Sequence, residues 1–165
     1  PEISMRILLY ALFFLAGGTA LAQERAIAWV GTNGAGTVVR FDPDHLPRPA
    51  LILFWATWCP YCKALMPHLQ KVRDAAGADH LDIYAIDIKD DGDPRAELRE
   101  RGLDFTLITD GDAIAAQYGV KGTPTLLLVN AQGSVAYRMG SDSPDTTEAT
   151  LREKLHLHPA SPAKR

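Results

Sequence analysis

Two cysteines occur in the 165-residue chain, and they stand two residues apart in Trp58-Cys59-Pro60-Tyr61-Cys62. Thiols at that spacing can close as a disulfide and reopen, so a nucleophilic sulfur has its resolving partner beside it. Other chemistry is less well provided for. Zinc needs about four ligands, and the rest would have to come from His45, His68, His80, His156 or His158, which form no H-x(3-5)-H array. A structural bridge across so short a loop removes little unfolded-state entropy, because that stabilisation grows with loop length. Redox exchange is the reading that the spacing favours.

An exchanging thiol has to be delivered to the edge of a scaffold and held there. The run Ala50 to Ala56 is apolar without alternation, as in a central strand covered on both faces. From Pro60 onward Leu65, Leu69, Val72 and Ala76 recur at helical spacing, Gly77 supplies a stop, and Pro67 inside the stretch predicts a kink. Cys59 therefore falls between a strand end and a helix N-terminus, whose unpaired N–H groups stabilise a thiolate. Leu81 to Ile88 alternates as a strand, which makes a parallel β-α-β unit from Ala50 onward, and Pro94 to Arg101 reads as a short helix ended by Gly102.

Further along, Phe105 to Thr109 predicts a short strand and Asp112 to Tyr118 a short helix closed by Gly119. Thr125 to Val129 and Ser134 to Arg138 flank Asn130-Ala131-Gln132-Gly133 as an antiparallel hairpin. Ser143-Pro144-Asp145 supplies a cap, a first-position proline and a first-turn acid for a last helix through Leu151 and Leu155. Ahead of the central strand, Ile27 to Val30 and Gly36 to Phe41 flank the turn Gly31-Thr32-Asn33-Gly34, and Asp42 to Pro49 is a proline-rich loop. The chain has no internal repeat.

A hydrophobic content of 47% with 22% charged residues fits one domain of average size. The formal charge is −3, and residues 1–22 contribute one charge of each sign, Glu2 and Arg6, so their removal leaves it unchanged. Neither nucleic acid nor an anionic membrane is an expected partner. Arg6, the apolar run Ile7 to Ala16 and the close Ala20-Leu21-Ala22 read as an export signal over residues 1–22, with Met5 as initiator. An uncleaved anchor is the alternative, although the run falls short of the roughly 20 residues that span a bilayer. Either way the expected location is periplasmic or otherwise extracytoplasmic, with a folded domain over 23–158 and a frayed tail over 159–165. In such a compartment an even cysteine count often means a structural framework; two cysteines this close make a poor one.

Together these features resemble the thioredoxin fold, and within it the exported TlpA-like and ResA-like thiol:disulfide oxidoreductases. The likeness runs from about Gly31 to Leu155. It rests on Phe54-Trp55-Ala56-Thr57-Trp58-Cys59-Pro60-Tyr61-Cys62, then Pro67, then Tyr118-Gly119-Val120-Lys121-Gly122-Thr123-Pro124-Thr125, then Asn130-Ala131-Gln132-Gly133. The resemblance implies an α/β, thioredoxin-like fold: a central mixed β-sheet flanked by helices, with an N-terminal β-hairpin extension. It also implies that Cys59 is the exposed nucleophile, Cys62 the buried resolving thiol and Pro124 a cis-proline facing them. Thr123 would pair through its backbone with an extended substrate segment, a strand-addition mode, and Trp58, Pro60 and Tyr61 would form the contact surface around the sulfur.

The chain departs from its look-alikes in one respect. Thioredoxins carry an acid six residues before the first cysteine and ResA-like proteins a glutamate three after the second; here those positions are Leu53 and Leu65. Asp87, Lys63 or water are the substitutes on offer. The expected reaction is dithiol-disulfide exchange, with no metal and no organic cofactor. Its expected substrates are disulfide-bearing exported proteins; cytochrome c apoproteins and copper-site proteins are typical of the look-alikes. A reductase fed by a membrane thiol donor, acting as a monomer, is the favoured direction. An oxidase or isomerase of the same fold is the alternative, since reference dithiol proteins span roughly −270 to −120 mV, about 7 kcal/mol for a two-electron couple. A copper-binding or delivery module using the Cys59 and Cys62 thiols is a further alternative, although the copper-carrying look-alikes typically space their cysteines by three; the P-x-x-x-[TS]-x-x-C loop of thiol peroxidases is absent before Cys59.

Overall fold

The computed structural model describes residues 23–157. The expected export signal and the tail lie outside the described residues. Seven strands form one sheet: β1 (Trp29–Asn33), β2 (Val38–Phe41), β3 (Ala50–Trp55), β4 (Asp82–Asp87), β5 (Thr106–Thr109), β6 (Thr125–Val129) and β7 (Val135–Arg138). Among the described residues four helices accompany them: α1 (Pro60–Ala76), α2 (Pro94–Glu100), α3 (Asp112–Gln117) and α4 (Pro144–Lys154). The strand order is β2-β1-β5-β4-β3-β6-β7. β3, β4 and β5 run parallel, while β6 and β7 on one side and β1 and β2 on the other run antiparallel to their neighbours. The expected mixed sheet is therefore present, and the N-terminal hairpin extends it beyond β5.

Helices on both faces explain why β3 reads as an unbroken apolar run. All six of its residues are buried. Leu51, Leu53 and Trp55 face α1 and α4 together with Leu65, Met66, Leu69 and Leu151. Ala50, Ile52 and Phe54 face the other way, toward Trp29, Phe41, Ile114 and Tyr118. Each fully buried Leu, Ile or Phe contributes about 1.5–3 kcal/mol, so both faces anchor the strand whose end carries the thiols. The helix starts follow their sequence signals: Asp93 caps α2 by accepting from the Ala96 N–H, and Ser143 caps α4 by accepting from that of Thr146. α1 continues through Pro67 to Ala76, and Gly77 follows.

The first hairpin departs from its expected register. Its turn runs from Asn33 to Thr37, two residues later than the Asn-Gly pair suggests, and Ile27 and Ala28 precede β1. The Asn33 carboxamide oxygen accepts from the N–H groups of Ala35 and Thr37 at 2.9 and 2.8 Å, and Gly36 takes a positive φ of 82°. A side-chain-closed turn thus replaces a two-residue one. The segment before β1 is tied to the other end of the sheet by hydrogen bonds from Val135 N to Glu24 O and from Ala26 N to Gly133 O. Tyr118 secures it further, donating to Ile27 O at 2.7 Å and accepting from Ile27 N at 3.1 Å.

Candidate redox site

Cys59 lies between β3 and α1, four residues past Trp55. As the N-cap of α1 it has an extended backbone, and its sulfur accepts from the Cys62 N–H at 3.3 Å. Pro60 suits the first helical turn because it has no N–H to leave unpaired. The Cys59 N–H donates to Ala56 O at 3.1 Å, and the Cys59 carbonyl accepts from Lys63 N at 3.2 Å. Both cysteines are free thiols.

The expected difference in exposure between the two sulfurs is corrected by the structure. Cys59 is only 2% exposed and Cys62 is fully buried, and both belong to the apolar cluster beneath α1. The cap geometry is the cause: the Cys59 side chain turns back onto the first helical turn rather than outward. The exposed groups are its neighbours. Trp58 is 58% and Tyr61 75% exposed, Pro60 is exposed as well, and the Trp58 indole N–H donates to Lys89 O at 2.9 Å. Two large apolar rings thus stand in solvent beside a recessed sulfur.

Burial pushes the Cys62 thiol up to about 12, assisted by the adjoining Cys59 thiol. The Ala56 backbone N–H and the Thr123 hydroxyl act in the opposite direction, and no carboxylate is among the groups that act on this sulfur. Leu53 and Leu65 are both buried in the same cluster, so neither of these two positions brings a carboxyl to the sulfurs. Thr123 and Pro124 are half-buried and joined by a cis peptide bond. The Thr123 Oγ1 atom has no conventional hydrogen-bond partner. Thus the segment before β6, some 60 residues from the cysteines in sequence, meets them at the end of the sheet.

Of the suggested substitutes for the missing acid, Lys63 pairs with Glu97 on α2 at 3.4 Å. Asp87 ends β4, opposite Trp55 in the register, and is buried with one carboxyl oxygen unpartnered. Burial, a hydrogen bond with the Asp90 carboxyl and the nearby charges of Asp90, Asp110 and Asp112 raise it to about 7. Asp90 in turn accepts from Thr57 N at 2.5 Å, Thr57 Oγ1 at 2.6 Å and Gly92 N at 3.0 Å. Asp90 and Thr57 escaped the sequence reading; the signal that would have found them is Asp90-Asp91-Gly92, a short acceptor side chain two residues ahead of a glycine. Among the described residues, no group of three or more His, Cys, Asp or Glu side chains is placed to hold a metal ion.

A sequence model of the AhpC/TSA family matches residues 22–138. The thiol-disulfide oxidoreductase ResA of Halalkalibacterium halodurans is 25% identical over 136 residues, covering 81% of this chain and 77% of that protein. The soluble secreted antigen MPT53 of Mycobacterium bovis is 28% identical over 139 residues, covering 82% and 78%. Among solved structures, a thiol:disulfide interchange protein from Bacteroides sp. superposes with a TM-score of 0.68 at 20% identity, over 87% of this chain and 94% of that one. That likeness is one of fold, and it is the thioredoxin-like fold expected from the motifs.

Proposed function

The chain belongs to the AhpC/TSA family, and from that premise we propose that it is an extracytoplasmic thiol:disulfide oxidoreductase that reduces disulfides in exported partner proteins. The observation that carries this reading is a pair of free thiols at the start of α1, with the Cys62 N–H on the Cys59 sulfur. Cys59, as thiolate, attacks one sulfur of a partner disulfide, and the other partner sulfur leaves with the bonding electrons. Cys62 then attacks the Cys59 sulfur of the mixed disulfide, the second partner sulfur departs, and Cys59–Cys62 closes. The partner gains two electrons, which a membrane thiol donor restores to the pair. No metal or organic cofactor takes part in these steps.

Trp58, Pro60 and Tyr61 supply the apolar surface for the partner, and the backbone of Thr123 beside Pro124 supplies the edge on which an extended segment pairs. Export is supported by the leader-like residues 1–22 and by a secreted relative. No helix among the described residues is long and apolar enough to cross a membrane.

Reduction of insulin by the full chain, with dithiothreitol as electron source, tests the reading. Cys59→Ala is expected to lower the catalysed rate about a hundredfold or more, and Cys62→Ala to accumulate a Cys59–insulin mixed disulfide. Full activity in the Cys59→Ala variant overturns it. The equilibrium potential of the pair decides direction: a value near −120 mV, the oxidising end of the range, replaces the reductase by an oxidase.

A further inference from the structure

The loop after β4 grips the segment that leads into the thiols. Asp90 accepts from both the backbone N–H and the hydroxyl of Thr57, while Lys89 O accepts from the Trp58 indole. The fit is close: a Cβ on Gly92 would stand 2.2 Å from Thr57 Oγ1. Thr57 adjoins Ala56, and Ala56 touches both cysteines. Its carbonyl accepts from Cys59 N, and its N–H is the backbone donor to the Cys62 sulfur. A hydrogen bond to a thiolate favours the charged form, so the placement of Ala56 bears on how readily Cys62 gives up its proton. This is the step for which no carboxylate is at hand.

We propose that Asp90 is a positioning residue for Cys62, holding Ala56 through Thr57, and that a proton shared between the Asp87 and Asp90 carboxyls keeps this clasp closed. The proposal rests on the reading of Cys59 and Cys62 as an exchanging pair. With one proton between them, Asp87 donates to Asp90, and Asp90 keeps its oxygens for Thr57 and Gly92. Once that proton leaves, two carboxylates face each other without a paired cation, with Asp110 and Asp112 adding to the repulsion from the loop before α3 and from its first turn. Asp112 also accepts from the Lys89 N–H at 3.4 Å, so the loop that would yield is held on that side too. Loss of the proton with rising pH slackens the hold on Thr57. The raised affinity of Asp87 for its proton, at about 7, places this change near neutrality.

The test uses the reduced full chain and Ellman's disulfide, which releases one yellow thiolate as Cys59 is modified and a second as Cys62 displaces it. The second phase reports Cys62 alone. Asp90→Asn is expected to slow it about tenfold with the first phase unchanged, and circular dichroism shows whether that variant is folded. Asp87→Asn keeps a neutral donor to Asp90. Its second phase is expected to equal that of the parent at pH 6 and to exceed it severalfold at pH 8, with slower exchange of the Thr57 amide hydrogen. A ratio between Asp87→Asn and parent that stays constant from pH 6 to pH 8, or an unchanged second phase in folded Asp90→Asn, overturns the clasp. A missing second release in the parent chain overturns the exchange reading itself, which separates the two failures.

Discussion

β3 and β4 end side by side, Trp55 opposite Asp87, and each leads to a buried titratable group that burial pushes upward. On the β3 side Cys62 reaches about 12, among neutral groups, so its proton stays in place at neutral pH until exchange demands it. On the β4 side Asp87 reaches about 7, among other acids, so its proton is in balance at neutral pH. Desolvation is the first cause in both cases. The ordinary value of the group then decides whether the shift carries it out of the physiological range or into it. The thiol side holds a proton that is hard to remove, and the acid side holds one that is easily removed.

The sharpest way to break this contrast is through the pH dependence of Cys62. The second-phase rate is expected to rise about tenfold per pH unit between pH 5 and pH 7, following the thiolate fraction, and to bend below that line above pH 7. A stopped-flow series that is flat across this range means that an acid-base group serves Cys62 after all.

Stability is the next measure. A carboxyl whose folded value of about 7 lies above its unfolded value of 3.8 binds its proton more tightly in the native state. Its contribution is fully present below pH 3.8, declines as pH rises from there to 7, and is gone above that window. Asp87→Asn, which has no charge to bury, is therefore expected to gain about 4 kcal/mol over the parent chain at pH 8 relative to their difference at pH 4. Urea denaturation at the two pH values checks it, and equal differences remove Asp87 as a strained group.

The smallest effect serves as a control. Tyr118→Phe removes the two hydrogen bonds to Ile27 on the opposite face of the sheet and is expected to cost about 1 kcal/mol. Neither pH profile should move. A changed Cys62 profile in that variant would mean that the two faces are coupled and that the contrast is not local to the strand ends.

Much of the scaffold is legible in the residue pattern. The unbroken apolar run of β3, the capped starts of α2 and α4, and the hairpin about Asn130 to Gly133 all depend on neighbours within a few positions. Where short-range signals competed, the reading slipped: Asn33-Gly34 has the composition of a two-residue turn, yet the Asn33 side chain closes a longer one on Ala35 and Thr37. At the site, the absence of an acid beside Cys62 was visible as Leu53 and Leu65. The recessed position of Cys59 was not, because it comes from a helix cap turning the side chain inward.

By itself the sequence determined which atoms can react, a lone pair of thiols two residues apart between an apolar strand and an amphipathic helix, because spacing and periodicity are local. Only the tertiary structure decided what surrounds them. Thr123 reaches Cys62, and Asp90 reaches Thr57, through strands adjacent in the sheet but distant in the chain. Burial is likewise a property of the assembled layers, and it carries Cys62 above the physiological range and Asp87 into it.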